Sequence, residues 1–373
     1  MPRYSDLEHS PFSLPAGEFN AITDVSGVKV GHFTLYEGDG VWMPGRGPFR
    51  TGVTVILPHD ENMYEDKVPA AAHTINGFGK VAGFEQLREL GQLETPIALT
   101  GTLNVPRVAD ALMTLSIEQN PYIGIGFDES GRRGYASVNP VVGETSDGFL
   151  SDIQARPIGE DEVRAAIGDA SSGVVEEGVV GAGTGTSCFG WKGGIGTASR
   201  VLPDKFGGFT VGALVQSNFG RPQELTISGV PIGRHLIPPG NTPIPIPGSI
   251  MIIIATDAPL ESRQLGRLCR RAAFGLARTG STCLGGSGDF VIAFSTAYRM
   301  KDRPSDILSV LPILVDEQPV IGALSLAVIE SVEEAIYNSM LMARTVTGRD
   351  GNTRHKLPVE EVRKLIIRFG SES

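Results

Sequence analysis

Short apolar runs bounded by glycine or proline recur along the chain and predict β-strands. They cover residues 27–35, 51–58, 95–105, 209–220, 249–256 and 288–296. Longer segments repeat apolar residues every three or four positions, which predicts helices. These segments cover residues 79–93, 108–120, 158–170, 258–280, 321–348 and 358–369. Strands and helices alternate loosely without a clear βαβ period, linker or internal repeat, so we expect one layered domain over residues 1–373.

Local signals refine two of these elements. The turn-rich segment between residues 27–35 and 51–58 allows the two strands to pair as a hairpin with a long loop. The helix over residues 258–280 is expected to hold Pro259 in its first turn and to end at Gly280.

The most apolar strand, SIMIIIAT at residues 249–256, has an unusual approach. Its lead-in, residues 243–248, reads PIPIPG and alternates proline with isoleucine before a glycine. Proline stiffens the chain and cannot donate to a sheet ladder, so we expect this lead-in to lie outside the core. Ser249 is therefore either the plain first residue of a buried strand or a group placed there to react.

Glycine is abundant, with 48 of 373 residues, and is concentrated in GAGTGTSCFGWKGGIG at residues 181–196. Such a segment could cradle a phosphate, with Lys192 as the cation. It lacks a P-loop pattern, however, because no serine or threonine follows Lys192. We favour the alternative that this backbone packs closely against another segment or a peptide-like ligand.

Charge and hydropathy narrow the possible partners. The formal net charge is −10, which argues against nucleic acid or an anionic membrane surface, because both attract basic patches. No apolar run approaches the roughly 18 residues of a membrane span. The first residues show no apolar signal-peptide core. We expect a cytoplasmic protein, or a periplasmic one if a signal has been removed.

Cysteine and histidine give no indication of a metal site. The three cysteines, at positions 188, 269 and 283, match no zinc spacing and are expected to be free thiols. The six histidines are scattered singly along the chain. We therefore expect no metal and no other cofactor.

This expectation gives a first prediction. Dialysis against EDTA is expected to leave the activity of the protein intact, because no residue cluster has metal-ligand spacing. Activity assays before and after dialysis check it. A large loss that zinc or manganese restores would contradict it.

A serine nucleophile at position 249 needs a base, and no histidine or G-x-S-x-G elbow lies nearby. An N-terminal residue can use its own α-amine, whose ordinary pKa of about 7.7–8.0 suits this task. Ser249 would gain that amine only if the Gly248–Ser249 bond were cut. Glycine suits this step because it has no Cβ to hinder attack by the serine Oγ.

A second hydroxyl segment, Ser-Gly-Asp at residues 287–289, directly precedes the strand over residues 288–296. On its own it is typical of a turn. Its position is also that of an active-site segment at a strand end.

Several motifs together resemble one family. They are ITDVSGVKVGHFTL, PVVGETSDGFLSDI, GAGTGTSCFGWKGGIGTASR, VQSNFG, PGSIMIIIATDAPL and GGSGDFVIAFST. In this order they are similar to the L-aminopeptidase/D-Ala-esterase/amidase and β-aminopeptidase family. The resemblance runs from about residue 21 to the C-terminal helices.

The resemblance implies a fold, a maturation step and an activity. The fold would be a four-layer αββα sandwich like that of N-terminal-nucleophile hydrolases, with different connectivity. The precursor would cut itself into residues 1–248 and 249–373, which would stay associated as a heterodimer within a homotetramer. The enzyme would remove N-terminal residues from small peptides, amides or esters without a metal.

The resemblance also assigns roles to individual residues. Ser249 would be the nucleophile and the new N-terminus after cleavage at Gly248–Ser249. Ser287 and Asp289 would orient and polarise it, although β-aminopeptidases have glutamate in place of Asp289. The side-chain amide of Asn218 would donate to the oxyanion.

Two further positions bear on the substrate. Glu144 is the candidate for holding the free ammonium of the substrate; alternatively it is a solvated loop glutamate. Phe149 departs from the family pattern, in which a tyrosine is common, so any hydroxyl contribution there would be missing.

Two other functions stay open at this stage. Ornithine acetyltransferases share the fold and the self-cleavage but use threonine, which disfavours an acyltransferase here. The chain could also be a non-catalytic glycine-rich binding protein, in which PGSI is only structural. A denaturing gel distinguishes a binding protein from the two self-cleaving enzymes, because an uncleaved chain would give one band of 39.5 kDa. The resemblance allows an L- or a D-residue at the N-terminus of the substrate, and either an α- or a β-amino group on it.

Overall fold

The computed structural model describes residues 1–7, 11–125, 137–240, 248–304, 306–315 and 319–370. Within them the strands are β1 (Lys29–Glu37), β2 (Phe49–Leu57), β3 (Asp66–Gly77), β4 (Gln92–Leu93), β5 (Ile97–Gly101), β6 (Val141–Thr145), β7 (Ser187–Cys188), β8 (Trp191–Lys192), β9 (Ile195–Val201), β10 (Thr210–Asn218), β11 (Ser249–Thr256), β12 (Gly288–Ser295), β13 (Met300–Lys301), β14 (Val346–Thr347) and β15 (Thr353–Arg354). The helices are α1 (Phe84–Leu90), α2 (Val105–Gln119), α3 (Glu160–Asp169), α4 (Ser262–Arg278), α5 (Val320–Leu341) and α6 (Val359–Gly370).

Two sheets organise the chain. The large sheet has the order β13-β3-β12-β11-β10-β9, with β4 beside β3, and the small sheet has the order β1-β2-β5-β6. Strand β11 lies at the centre of the large sheet, antiparallel to β10 and parallel to β12. In the small sheet, β5 and β6 are also parallel.

Three hydrophobic clusters show that the layers stack in the order αββα. One cluster joins the large sheet to α4 and α5, and a second fills the space between the two sheets. The third joins the small sheet to α2 and α3. The predicted four-layer sandwich is confirmed.

The sequence of β11 explains why this strand can be central. Alternate side chains of a strand point to opposite faces. Ile250, Ile252 and Ile254 enter the cluster beneath α4 and α5, whereas Met251 and Ile253 enter the cluster between the sheets. A strand buried on both faces requires a continuous apolar run, and SIMIIIAT is one.

The predicted hairpin is confirmed, because β1 pairs with β2 in an antiparallel register. The expectation of no clear βαβ period was wrong. Both β11-α4-β12 and β5-α2-β6 are parallel strands joined across a helix. Pro259 also does not lie in the first turn of α4, which begins at Ser262.

The helix predicted over residues 79–93 is shorter than expected. Gly83 has a left-handed φ of 81°, and a Cβ there would lie 2.6 Å from the carbonyl oxygen of Pro140. The helix α1 therefore begins only at Phe84. The residues before it form a loop that starts from the last residue of β3; residues 77–83 are called the site loop below. No helix in the described parts of the chain has the length and apolar character needed to cross a bilayer.

Candidate active site

Ser249 is the first residue of β11 and is placed by the strands on both sides of it. It lies opposite Asn218 in the antiparallel pair with β10 and opposite Gly288 in the parallel pair with β12. Directly opposite residues of an antiparallel pair share a face of the sheet. The side chains of Ser249 and Asn218 therefore share the face that Met251 uses, which looks toward the small sheet.

The Gly248–Ser249 peptide bond lies within a compact set of hydrogen bonds. The Ser249 Oγ donates to the Gly248 carbonyl oxygen at 2.7 Å. The Gly288 N–H donates to the same oxygen at 3.0 Å and also lies 3.4 Å from the Ser249 Oγ. The hydroxyl is thus held against its own preceding carbonyl, and a backbone donor polarises that carbonyl.

The space around position 248 favours glycine over any larger residue. A Cβ there would lie 2.9 Å from the Cα of Phe219 and 3.3 Å from the Ser287 Oγ. A side chain would therefore push the peptide bond away from Ser287 and from β10. The proline-rich lead-in at residues 243–247 lies outside the described residues, so its predicted exposure stays a prediction.

Ser287 and Asp289 form a buried pair beside this bond. The Ser287 Oγ donates to Asp289 Oδ1 at 2.6 Å, and both side chains are buried. Burial raises the pKa of the Asp289 carboxyl, while the hydrogen bond from Ser287 acts in the opposite direction. The pair can relay or hold a proton next to the nucleophile. The sequence predicted these two positions, and the structure brings them to Ser249.

The side-chain amide of Asn218 has its oxygen occupied and its nitrogen available. Its Oδ1 accepts the backbone N–H of Ser187 at 2.8 Å, which determines the orientation of the side-chain amide. Its Nδ2 is buried and has no hydrogen-bond partner in the described part of the chain. A buried donor without a partner is costly, and a developing oxyanion would satisfy it.

Ser187 and Arg354 support this asparagine, and sequence reasoning missed both. Arg354 Nε donates to the Ser187 Oγ at 2.8 Å. Its guanidinium also lies over the ring of Phe149, 3.7 Å from the ring centroid. Phe149, the position of the family tyrosine, therefore packs against an arginine. The only signal for Ser187 was its place in the glycine-rich segment, and Arg354 gave none.

Lys192 holds together the backbone of the glycine-rich segment, residues 181–196. Its side chain is fully buried, and its Nζ donates to the carbonyl oxygens of Gly183, Thr186 and Gly193 at 2.7–2.9 Å. Lys192 therefore stabilises the protein's own backbone and is not available to a phosphate. Close packing is confirmed, because a Cβ at Gly194 would lie 2.2 Å from the Gly178 carbonyl oxygen.

Glu144 lies near the end of β6 and is buried, so the solvated-loop alternative is wrong. Its Oε1 accepts the backbone N–H of Lys80 at 3.0 Å. Burial raises the pKa of the Glu144 carboxyl, while Lys80 and the Thr102 hydroxyl act in the opposite direction. A partly desolvated carboxylate of this kind suits a positively charged ligand.

The site loop connects Glu144 to the nucleophile. The Phe78 N–H donates to the Ser287 carbonyl oxygen at 3.2 Å, and two residues later the Lys80 N–H reaches Glu144. Gly79 between them is crowded, since a Cβ would lie 3.0 Å from Glu144 Oε1. The predicted site residues therefore surround one region, at the end of the gap between the sheets.

The described residues contain no group of three or more His, Cys, Asp or Glu arranged to hold a metal ion. Cys188 and Cys269 are buried free thiols, and Cys283 is partly buried and also free. The groups that gather at the site are instead hydroxyls, an amide and carboxylates. This is a set suited to nucleophilic acyl chemistry.

Comparison with known proteins identifies the family of the chain. The model of peptidase family S58 matches residues 20–354. The β-peptidyl aminopeptidase BapA of Sphingosinicella xenopeptidilytica is 39% identical over 381 residues, covering 98% of this chain and 91% of that protein.

Solved structures are equally similar. The PH0078 protein from Pyrococcus horikoshii OT3 is 47% identical, with a TM-score of 0.91 and 99% of each chain covered. The L-aminopeptidase D-Ala-esterase/amidase of Ochrobactrum anthropi, a serine aminopeptidase with a variant of the Ntn-hydrolase fold, is 38% identical, with a TM-score of 0.87 and 99% of each chain covered. The chain therefore belongs to peptidase family S58 and is an aminopeptidase with the fold of the N-terminal-nucleophile hydrolases.

Proposed function

We propose that the chain cuts itself before Ser249 and that the new N-terminal serine then removes N-terminal residues from short peptides, amides or esters. The observation that carries this proposal is the 2.7 Å contact between the Ser249 Oγ and the Gly248 carbonyl oxygen, with the Gly288 N–H on the same oxygen. A hydroxyl held there is next to the carbon that it must attack.

Self-cleavage would proceed by an acyl shift. The Ser249 Oγ attacks the carbonyl carbon of Gly248, and the Gly288 N–H stabilises the oxyanion. The C–N bond breaks, and the hydroxyl proton passes to the nitrogen, which becomes the α-amine of Ser249. Water then hydrolyses the ester, leaving a Gly248 carboxylate and a free hydroxyl.

Substrate turnover would use the same hydroxyl with its new amine as the base. The α-amine accepts the Oγ proton as Oγ attacks the scissile carbonyl, and the leaving amine or alcohol takes that proton. An acyl-enzyme on Ser249 forms and is hydrolysed by water. Asn218 Nδ2 would donate to the oxyanion, and the Ser287–Asp289 pair would hold the nucleophile in place.

The resulting chains, residues 1–248 and 249–373, would remain together. Strand β10 belongs to the first chain and β11 to the second, and the two strands pair from Val211–Thr256 to Asn218–Ser249. We extend the proposal to a homotetramer of such heterodimers, following the family resemblance. An acyltransferase is a weaker alternative, because the candidate nucleophile is serine.

A panel of L-, D- and β-aminoacyl amides tests the aminopeptidase proposal, with product release followed by chromatography. We expect release of the N-terminal residue from at least one class. β-Amino substrates are of special interest, because the Sphingosinicella relative is a β-peptidyl aminopeptidase. Purified, fully cleaved protein that hydrolyses no member of the panel would contradict the proposal.

The Glu144→Gln variant tests how the substrate ammonium is held. Replacing the carboxylate with an amide keeps an acceptor oxygen but removes the negative charge that holds the ammonium, and a hydrogen bond to a charged group is worth about 1.5–3 kcal/mol. We expect kcat/KM on free-amine substrates to fall by about tenfold to a hundredfold. Self-cleavage should still be complete, because that step has no free amine to recognise.

The matched control is Glu118→Gln. Glu118 is an exposed glutamate at the C-terminal end of α2, where it pairs with Arg164. This variant should behave as the wild type. N-acetylated peptides should be poor substrates of the wild type. Equal cleavage of acetylated and free peptides, or full activity of Glu144→Gln, would show that Glu144 does not anchor the amine.

A further inference from the structure

The site loop, residues 77–83, bridges the two sheets beside the site. It leaves β3 of the large sheet at Gly77, and Ala82 forms a bridge with Val142 of β6 in the small sheet. Between these points its backbone binds the Ser287 carbonyl and the Glu144 carboxylate. The loop therefore borders the space between Glu144 and Ser287, the neighbour of the nucleophile.

Lys80 presents a positive charge on this loop. The residue is exposed, and its Nζ donates to the Thr102 Oγ1 at 2.9 Å. Among the described residues, the Nζ forms no ion pair with a carboxylate. The backbone N–H of the same lysine donates to Glu144 Oε1 at 3.0 Å. Lys80 thus binds the proposed ammonium anchor through its backbone and carries a cation on its side chain.

An anion and a cation spaced in this way match a zwitterion. The Lys80 Nζ lies no farther from Glu144 Oε1 than the length of the lysine plus one hydrogen bond. A dipeptide extends about 7 Å between its charged ends. A dipeptide with its ammonium on Glu144 can therefore place its carboxylate within reach of Lys80. Phe78, with 64% of its surface exposed, adds an apolar ring on the same loop for the leaving residue.

We propose that Lys80 forms a carboxylate subsite and that the preferred substrates are dipeptides with a free C-terminal carboxylate. This inference rests on the proposed aminopeptidase function and deepens it. The nucleophile and Glu144 define where the N-terminal residue lies. Lys80 would then select against esters, C-terminal amides and longer chains, whose carboxylate is absent or too distant.

The test compares alanyl-alanine with alanyl-alaninamide, or the corresponding β-alanyl pair if the enzyme prefers β-amino residues. The wild type is expected to favour the free acid about tenfold in kcat/KM, mainly through KM, as for a charge-assisted hydrogen bond at a partly exposed site. Lys80→Gln should bring this ratio close to one, and Lys80→Arg should largely keep it. The preference should shrink between about 0.01 M and about 1 M salt, because ions screen exposed charges.

The control variant is Lys205→Gln, which removes an exposed lysine from the β9–β10 connection at the opposite end of the large sheet. It should leave the acid-to-amide ratio at the wild-type value. A wild-type ratio near one, or a Lys80→Gln variant that loses both substrates equally, overturns the carboxylate subsite. Hydrolysis of the amide in that case leaves the aminopeptidase proposal standing. Hydrolysis of neither dipeptide overturns the carboxylate subsite alone if the aminoacyl amide panel is cleaved, and both proposals if no member of that panel is cleaved.

Discussion

Ser249→Ala is expected to remain a single chain and to hydrolyse nothing. The substitution removes the atom that attacks Gly248 and also the amine that only cleavage creates. Loss of the nucleophile in a serine protease costs on the order of 10⁶ in kcat. Intact mass spectrometry should find 39.5 kDa for the variant. The wild type should give two fragments of roughly 26 and 13 kDa when mass is prorated by length.

Ser295→Ala is the matched control. Ser295 is also a buried serine whose Oγ donates to a backbone carbonyl, that of Ala258 at 2.6 Å, but it lies at the opposite end of β12. This variant should be cleaved and active. Full activity in an uncleaved wild-type chain, or a small fragment that begins elsewhere than Ser249, would contradict the proposed maturation.

Asn218→Ala is expected to lower kcat by about 10²–10³, the usual cost of one oxyanion donor. The physical reason is that Asn218 Nδ2 is a buried donor without a described partner, on the same face of the sheet as Ser249. KM should change little, because the interaction strengthens as the oxyanion forms. Steady-state kinetics on a good amide substrate measures both quantities.

Stability must be separated from catalysis in this variant. Removing the Asn218 Oδ1 leaves the Ser187 N–H without its acceptor. Asn218→Asp keeps an acceptor for that N–H but loses the donor, so it should fold like the wild type and share the catalytic defect. A variant with normal thermal unfolding and normal kcat would exclude Asn218 from the oxyanion site.

Much of the fold could be predicted from strand and helix patterns, and the misses have physical causes. Strand β3 was missed because Pro69 and the small alanines at positions 70–72 do not form a β-branched run. Ala71 suits its place because it lies in the core that β3 shares with α4, whereas Ala70 and Ala72 face the core between the two sheets. Strand β9 was missed because it begins within the glycine-rich segment. Glycine is needed at position 196, since a Cβ there would lie 2.0 Å from the carbonyl oxygen of Ala335 in α5. Such close approaches leave no trace in hydrophobic periodicity.

For the site, the sequence could supply candidates but not their arrangement. Ser249 and Ser287 are brought together only because β11 and β12 are parallel neighbours in register, which no local pattern specifies. Ser187 and Arg354 were missed because they act through backbone and side-chain contacts to other residues. The apolar residues of the site loop continue the helical spacing of α1, so the pattern predicts a helix that begins within the loop. Apolar spacing carries no information on the left-handed backbone of Gly83, where the observed helix is interrupted.

The pairing of β10 with β11 has a consequence for how the mature protein can be made. A cut before Ser249 would leave every one of the residue pairs from Val211–Thr256 to Asn218–Ser249 in place, although they would then join two molecules. Refolding of the cut protein would become second order in concentration, whereas refolding of the Ser249→Ala chain would stay first order. The intact precursor would thus serve as the assembly template, and an enzyme denatured after maturation would lose that template.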